Sequence, residues 1–276
     1  MTVEIPTIAV AKEPHRPATE KMPGHWLLAR MGKRVLRPGG LELTRWLLAS
    51  LAISPDDEVI EFAPGLGVTA RLALARQPRS YTAVERDPDA AATVARYLDG
   101  ARQKCVLGTA EQTGLIDQSA TVVYGEAMLS MQPTTTKFRI VCEAARLLSP
   151  NGKYGIHELC LVPNDVDESI RDAIQHDLSD EIHVGVRPLT VREWRDLLHA
   201  AGFTVVAEHT TPMHLLEPAR LIRDEGLLGA VRFGWNVATH ASARRRVLKM
   251  RSVFRRYNQH LAAIGIVARK PAEEDL

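Results

Sequence analysis

The hydrophobic positions of this chain follow two alternating patterns. Short continuous apolar runs, typical of buried strands, alternate with longer stretches in which apolar residues recur three or four positions apart, typical of helices. The predicted strands are 59–62, 81–84, 104–107, 121–124, 153–161, 204–208 and 261–268, and the predicted helices are 25–34, 41–51, 68–77, 88–98, 136–148 and 190–203. This alternation predicts an α/β fold in which a parallel sheet has helices on both faces.

Length and composition indicate the class of protein and the domain organisation of the chain. With 276 residues, 45% hydrophobic and 25% charged, the sequence is that of an ordinary globular protein with a substantial core. We expect residues 1–24, which contain four prolines, to form a flexible arm, and 25–276 to form a single domain. The chain has no basic leader and no apolar stretch long enough to cross a bilayer, so we expect a cytoplasmic protein.

The turn after the first predicted strand carries the most informative chemistry. Pro64, Gly65 and Gly67 form a tight turn between strand 59–62 and helix 68–77. Glycines at such a turn let a ligand approach the backbone, because no Cβ stands in the way. Glu85 ends the next strand, where it is placed to accept hydrogen bonds from a ribose diol. The unit therefore indicates nucleoside binding.

Two cofactors fit this unit. Gly65, Gly67 and Ala70 satisfy the G-x-G-x-x-G/A fingerprint of dinucleotide binding, which keeps a NAD-dependent oxidoreductase as an alternative. Glu61, the acid before the turn, favours S-adenosylmethionine (SAM) instead. Its carboxylate would attract the ammonium and sulfonium of SAM, whereas it would repel a pyrophosphate.

The run from Glu61 to Gly67 resembles motif I of class I SAM-dependent methyltransferases, with Ala63 where the motif usually has its first glycine. The chain is similar to the type 11 small-molecule group, over about residues 41–269. This resemblance implies a Rossmann-like, seven-stranded mixed sheet whose closing strand is antiparallel. It also implies a cofactor-binding core at about 41–161, SAM as methyl donor and S-adenosylhomocysteine as product.

The same resemblance implies the remaining cofactor contacts by position. Thr109 stands after the third strand, where many relatives have an aspartate that meets adenine, and Glu111 is the alternative. Arg37 or Lys33 would reach the carboxylate of SAM. The implied cofactor-binding residues are Glu61, Ala63, Pro64, Gly65, Gly67, Glu85, Arg86, Thr109, Ala110, Glu111 and Glu126.

Catalysis is expected at the end of strand 153–161. His157 and Glu158 interrupt an apolar strand near the edge at which ligands bind in open α/β sheets. We name both as candidate catalytic residues, with His157 as a general base for an acceptor hydroxyl or amine. The insertions 163–187 and 212–259 are expected to form a lid and the acceptor pocket, lined by apolar residues that include Leu215, Leu227, Leu228 and Trp235. The histidines and acids of the first insertion lack compact metal-ligand spacing, so we predict no metal.

The function expected from these features is methyl transfer from SAM to a small, partly hydrophobic acceptor. The basic helix 244–257 leaves open an RNA or membrane-surface methyltransferase, although 5% aromatic residues and a formal charge of +2 disfavour nucleic acid. A non-catalytic SAM-binding protein is a further alternative. The acceptor and the oligomeric state cannot be read from the sequence.

Overall fold

The computed structural model describes residues 20–272, so most of the expected N-terminal arm lies outside the described residues. The strands are β1 Glu58–Phe62, β2 Ser80–Glu85, β3 Gln103–Leu107, β4 Ala120–Glu126, β5 Leu148–Leu161, β6 Leu189–Thr190, β7 Thr204–Pro212 and β8 Leu261–Arg269. The helices are α1 Gly24–Arg30, α2 Gly40–Leu51, α3 Val68–Leu74, α4 Pro88–Ala95, α5 Thr134–Leu147, α6 Glu168–Ile182, α7 Val191–Ala200, α8 Pro218–Thr239 and α9 Ala241–Arg256.

The strands form one mixed sheet in the order β3-β2-β1-β4-β5-β8-β7, with the two-residue β6 paired to β5 outside this path. Strands β1 to β5 pair in parallel, whereas β8 runs antiparallel to both β5 and β7. The Rossmann-like sheet of seven principal strands is therefore confirmed. Because β1 to β4 are parallel, their carboxyl ends meet at one edge of the sheet.

Helices cover both faces of this sheet because the strands are apolar on both sides. Val59 and Ile60, which are neighbours on β1, belong to different hydrophobic clusters. The cluster of Ile60 includes residues of α5 and α7, and the cluster of Val59 includes residues of α2, α3 and α4. Thr190 and Glu193 form the expected capping box at the start of α7.

The inserted regions fold into helices α6, α8 and α9, which pack with α1 around hydrophobic clusters of their own. The long helix α8 is broken at Gly226, whose φ of 74° is not helical. Within residues 20–272, no helix is both long and apolar enough to cross a membrane. In the same range, no group of three or more histidine, cysteine or acidic side chains is arranged to hold a metal ion.

Candidate active site

A cavity of about 400 Å³ opens at the carboxyl edge of the sheet, where the loops after β1 to β4 meet the lid helices. Two of the residues expected at the site, Gly67 and His157, do not line it. The expected residues on its wall are Glu61, Ala63, Pro64, Gly65, Glu85, Arg86, Thr109, Ala110, Glu111, Glu126 and Glu158. The local motifs and the sheet topology together therefore bring most of the expected residues to one place.

Glu61 is held beneath the cavity by two tyrosines. The hydroxyls of Tyr81 and Tyr124 both donate to its Oε2 atom, the second at 2.6 Å. Burial raises the pKa of Glu61 to about 7, against the lowering effect of these two hydrogen bonds. The carboxyl group therefore titrates near neutrality, and a cation placed beside it would favour its ionised form.

The turn after β1 adopts left-handed backbone conformations at three positions. Ala63, Gly65 and Gly67 have φ values of 51°, 57° and 72°. Glycine tolerates this region readily, whereas alanine is strained there by about 1 to 2 kcal/mol. Ala63 thus adopts a backbone conformation that glycine would tolerate more readily. A Cβ on Gly67 would lie 2.7 Å from the ring of Tyr97, so Gly67 serves packing rather than the cavity wall.

Glu85 ties the end of β2 to this turn. Its Oε2 accepts from the Gly65 N–H at 3.1 Å, and its Oε1 accepts from the N–H groups of Arg86 and Asp87 at 2.9 and 3.0 Å. The side chain of Asp87 accepts from the N–H groups of Asp89 and Ala90 and caps α4. Glu85 therefore sets the shape of the turn in addition to lining the cavity.

Glu126, at the end of β4, is the centre of a buried polar network. Arg37 Nη1 and the Thr69 hydroxyl donate to its Oε2, and the Thr44 hydroxyl donates to its Oε1 at 2.6 Å. Burial alone would raise the pKa of Glu126, but the charge of Arg37 and the hydrogen bonds from His157 and Thr44 outweigh it. The pKa therefore lies well below its usual value, and Glu126 is ionised.

Arg37 lies on the cavity wall, and not every donor of its guanidinium group has a hydrogen-bond partner within the described part of the chain. Its Nη1 atom is engaged by Glu126 and Thr69, whereas its buried Nε has no hydrogen-bond partner within the described part of the chain. The positive charge of a guanidinium group on a cavity wall suits an anionic group on a ligand.

His157 is fully buried and both of its ring nitrogens are engaged. The Gly39 N–H donates to Nε2 at 3.0 Å, and Nδ1 lies 2.8 Å from Glu126 Oε1. Because Nε2 accepts a backbone hydrogen, the proton of the neutral ring resides on Nδ1 and is donated to Glu126. This geometry leaves no free lone pair on His157, and it argues against the expected role of general base.

Glu158 lines the cavity, but its carboxylate is also committed. Oε1 accepts from the N–H groups of Met128 and Leu129, and Oε2 accepts from the N–H and the hydroxyl of Ser130, all within 3.0 Å. Burial raises the pKa of Glu158, while these hydrogen bonds lower it. Glu158 therefore holds the turn that follows β4. The sequence alone does not distinguish this structural role from a catalytic one.

Helix α8 clamps the loop that carries Arg37. Glu225 accepts from the N–H groups of Arg34 and Val35, each at 2.8 Å, and Asp224 accepts from the Leu41 N–H at 2.9 Å. Lys33 is buried against the same two acids, at 3.7 and 3.9 Å, and does not line the cavity. Of the two cations considered for the cofactor carboxylate, the structure brings Arg37 alone to the cavity.

The side of the cavity formed by the lid is apolar. We call this side the lid wall; it consists of Leu159, Leu178, Ile182, Val184, Val186, Met213, Leu215, Met250 and Phe254. Leu215 lies there as expected. The expectation is wrong for Leu227, Leu228 and Trp235, which are exposed on α8, because the buried side of that helix is occupied by Phe233.

Helix α1 contributes residues to the wall that sequence reasoning missed. His25 and Trp26 line the cavity, and their rings lie 5.2 Å apart. Burial and the nearby charge of Arg86 lower the pKa of His25 to about 4, so its ring is neutral at physiological pH. This segment shows only a helical pattern in the sequence, and nothing in that pattern indicates which face meets a cavity.

The expected adenine region lies after β3 and contains few polar side chains. Thr109, Ala110 and Glu111 line the cavity after β3, next to Gly108. Glu111 also pairs with Arg139 at 3.2 Å, so its carboxylate is partly neutralised.

Comparison with known proteins gives consistent results. Residues 60–156 match a family described as a methyltransferase domain, type 11. An uncharacterized protein of Haemophilus influenzae is 34% identical over 252 residues, which cover 90% of this chain and 98% of the relative.

Two solved structures illustrate the likeness of fold. Phosphoethanolamine N-methyltransferase 2 of Haemonchus contortus, in complex with phosphomonomethylethanolamine and S-adenosylhomocysteine, has a TM-score of 0.68 at 13% identity, covering 94% of this chain and 59% of that one. The cyclase SpnF has a TM-score of 0.61 at 18% identity, covering 84% and 80%. At such low identities these likenesses establish the fold and leave the acceptor open.

Proposed function

From the premise that this chain belongs to the class I SAM-dependent methyltransferases, we propose that it transfers the methyl group of SAM to a small, largely apolar acceptor. The observation that carries the choice of acceptor is the lid wall, which consists entirely of aliphatic, methionine and phenylalanine side chains. Such a surface binds apolar groups by removing them from water, and it offers no partner to a buried charge.

The charged residues of the cavity fit the cofactor. Glu61, which titrates near neutrality, suits the ammonium group, and Arg37, a cation on the cavity wall, suits the carboxylate. Glu85 is our candidate for the ribose diol, and Thr109 and Ala110 for the adenine. The left-handed turn at Gly65 places no side chain between the backbone and the cofactor.

When bound, SAM supplies an electrophilic methyl carbon, so the chain's own residues need mainly to bind, orient and exclude water. We assign His157 and Glu158 as positioning residues. His157 joins the Gly39 backbone to Glu126, and Glu126 in turn fixes Arg37. Glu158 fixes the turn that presents Met128 to the cavity.

The lid wall also bears on the acceptor's chemistry. Within residues 20–272, the lid wall contains no titratable side chain, and the neighbouring Glu158 has both oxygens engaged. We infer an acceptor whose nucleophilic atom is uncharged and has a free electron pair at neutral pH, such as a weakly basic amine. The lid wall itself contains no lysine or arginine, and the arginines that line the cavity, Arg34, Arg37 and Arg86, lie outside it.

The alternative that uses the basic helix receives little support from the contacts of α9. Arg251 and Arg255 pair with Glu217, Arg256 pairs with Asp177, and Lys249 pairs with Glu181. These cations are largely neutralised within the chain. An RNA backbone would have to compete with them for the same donors.

The first test is calorimetric titration with SAM, S-adenosylhomocysteine and NAD, followed by transfer of a labelled methyl group to panels of apolar and charged acceptors. Binding of the first two ligands and turnover of apolar acceptors alone would support the proposal. SAM binding without transfer to any acceptor would favour a non-catalytic role or another reaction, such as that named for the cyclase of the same fold.

Substitutions in the lid wall test directly whether the acceptor site is apolar. Val186→Arg places a charge on the wall and should abolish turnover while SAM affinity changes little. Val206→Arg, at a half-exposed position of β7, is the matched control and should remain active. Full activity of the Val186→Arg variant would contradict an apolar acceptor site.

A further inference from the structure

Helix α8 exposes an apolar face after the break at Gly226. Leu227, Leu228, Val231 and Trp235 are 66%, 86%, 62% and 70% exposed. At 3.6 residues per turn, these four side chains fall within an arc of about 100° on one side of the helix. Phe233, on the opposite side, is buried in the lid core. A contiguous apolar patch of this kind on an otherwise polar surface marks an interaction site.

The surroundings of this face are basic. Arg232 on α8 and Arg245 on α9 are exposed and have no ion pair within the described part of the chain. The sequence has no acidic residue between Glu225 and Glu273. The cations of α9 from Lys249 onward are paired with acids of α6 and with Glu217, so the unpaired arginines include Arg232 in the second half of α8 and Arg245 in the first turns of α9.

We propose that this apolar face of α8 docks on the surface of an anionic lipid bilayer. Leucine, valine and tryptophan on one side of a helix bordered by arginine are suited to the boundary between head groups and acyl chains. The apolar side chains would be withdrawn from water there, while Arg232 and Arg245 would meet anionic head groups. The docking surface is separate from the cavity and does not depend on methyl transfer.

A second copy of the chain fits this face less well. A two-fold contact through α8 would place the same surface against itself and bring arginine towards arginine. No acid on α8 after Glu225 or on α9 could compensate this repulsion. An anionic bilayer supplies the complementary charge directly.

The position of α8 gives the docking a consequence for the acceptor. Helix α8 packs against α9, and α9 contributes Met250 and Phe254 to the lid wall. The same pair of helices therefore joins the exposed apolar face to the apolar side of the cavity.

The test is co-sedimentation of the full chain with vesicles made of equal parts phosphatidylglycerol and phosphatidylcholine, and with vesicles of phosphatidylcholine alone. We expect wild-type protein to sediment with the anionic vesicles, less so at high salt, and far less with the neutral ones. The double variant Leu228→Glu/Trp235→Glu should weaken binding at least about tenfold, because both side chains enter the interface.

The matched control is Ile116→Glu, which changes an 80% exposed isoleucine in the loop between β3 and β4. It should bind vesicles like wild type. SAM affinity measured on each preparation establishes that the variants are folded and keeps this result separate from the test of the cofactor site. No binding to anionic vesicles, or equal binding by the double variant, would overturn the proposal. A dimer in solution that the double variant dissociates, without vesicle binding, would replace it with self-association.

Discussion

His157 and Glu126 lie opposite each other on adjacent parallel strands, and the ring of His157 donates through Nδ1 to Oε1 of Glu126 at 2.8 Å. The pair connects the loop before α2 with the end of β4, since Gly39 donates to the other ring nitrogen. His157 does not line the cavity, so it acts on the cavity wall through Glu126, by hydrogen bonds that are complete before any ligand arrives.

Replacing His157 should therefore affect cofactor binding as well as turnover. In His157→Ala, the Gly39 N–H loses its acceptor and Glu126 loses a donor, at a cost of about 1 to 3 kcal/mol for groups left unsatisfied. We expect weaker SAM binding together with slower turnover, measured by calorimetry and steady-state kinetics. His199→Ala, an exposed histidine on α7, is the control and should change neither quantity. A large loss of turnover with unchanged SAM affinity would restore His157 as a base.

The affinity for SAM should rise with pH near neutrality. The pKa of Glu61 is about 7, and the ammonium of SAM favours the ionised carboxylate. Ionisation of Glu61 between pH 6 and 7 should strengthen binding about fivefold, while an α-amino group with a pKa near 8 stays charged. The measurement is the dissociation constant as a function of pH. Glu61→Gln should remove the dependence and Glu58→Gln should keep it; a flat wild-type profile would exclude this role for Glu61.

The stability of the ligand-free protein should change with pH in the opposite sense. Because the folded pKa of Glu61 is raised above its ordinary value of 4.5, the native state keeps a proton that the unfolded chain has lost. The stability contributed by this group is complete below about pH 4.5 and is lost as the pH rises to about 7, by about 3 kcal/mol. Denaturant unfolding of wild type and Glu61→Gln over this range would measure the difference. Parallel profiles would contradict the raised pKa.

Ala63→Gly should stabilise the protein. Ala63 adopts a left-handed conformation with φ of 51°, which glycine tolerates without strain. We expect a gain of about 1 kcal/mol in unfolding free energy, after the larger entropy loss of glycine is included. Ala91→Gly, within the regular helix α4, should instead lose about 1 kcal/mol. Equal losses in both variants would show that Ala63 is not strained.

Glu85 should recognise the ribose diol. Competition by adenosine and 2′-deoxyadenosine measures this contact, because the two differ by one hydroxyl. Wild type should prefer adenosine, and Glu85→Gln should lose most of this preference, since a charged hydrogen-bond acceptor contributes about 1 to 3 kcal/mol. The amide oxygen can still accept from the Arg86 and Asp87 N–H groups, although the Gly65 N–H then loses its acceptor, so thermal unfolding of the variant is measured alongside to establish that it is folded. An unchanged preference in the variant would remove Glu85 from the diol.

Much of the sheet and of the cofactor site could be predicted because the signals are local. Three of these signals each lie within a few residues: the change between strand-like and helix-like hydrophobic patterns, the glycine turn and the capping box at Thr190. Each is confirmed in the structure. The preference for SAM over NAD rested on Glu61 and on motif I, and the family to which the chain belongs confirms it.

The rest depended on contacts between distant residues. Arg37 and Glu126 are 89 positions apart, and only the tertiary fold shows that they meet. The sequence of α9 displays its positive charges but not the acids of α6 that neutralise them. Likewise, hydrophobic residues on α8 indicate a buried helix until their exposure is known. Polarity alone therefore could not distinguish a positioning residue from a base, or a docking face from a pocket wall.

The lid wall is assembled from β5, α6, the segments that follow α6 and β7, and α9, whereas the charged groups of the cofactor site come from the ends of β1, β2 and β4 and from the loop before α2. In the proposed function, recognition of the methyl donor and choice of the acceptor therefore depend on separate stretches of the chain. Substituting a few aliphatic side chains of the lid wall should therefore change the acceptor, while the residues assigned to SAM stay unchanged. That separation makes the scaffold a practical starting point for redirecting methylation towards new molecules.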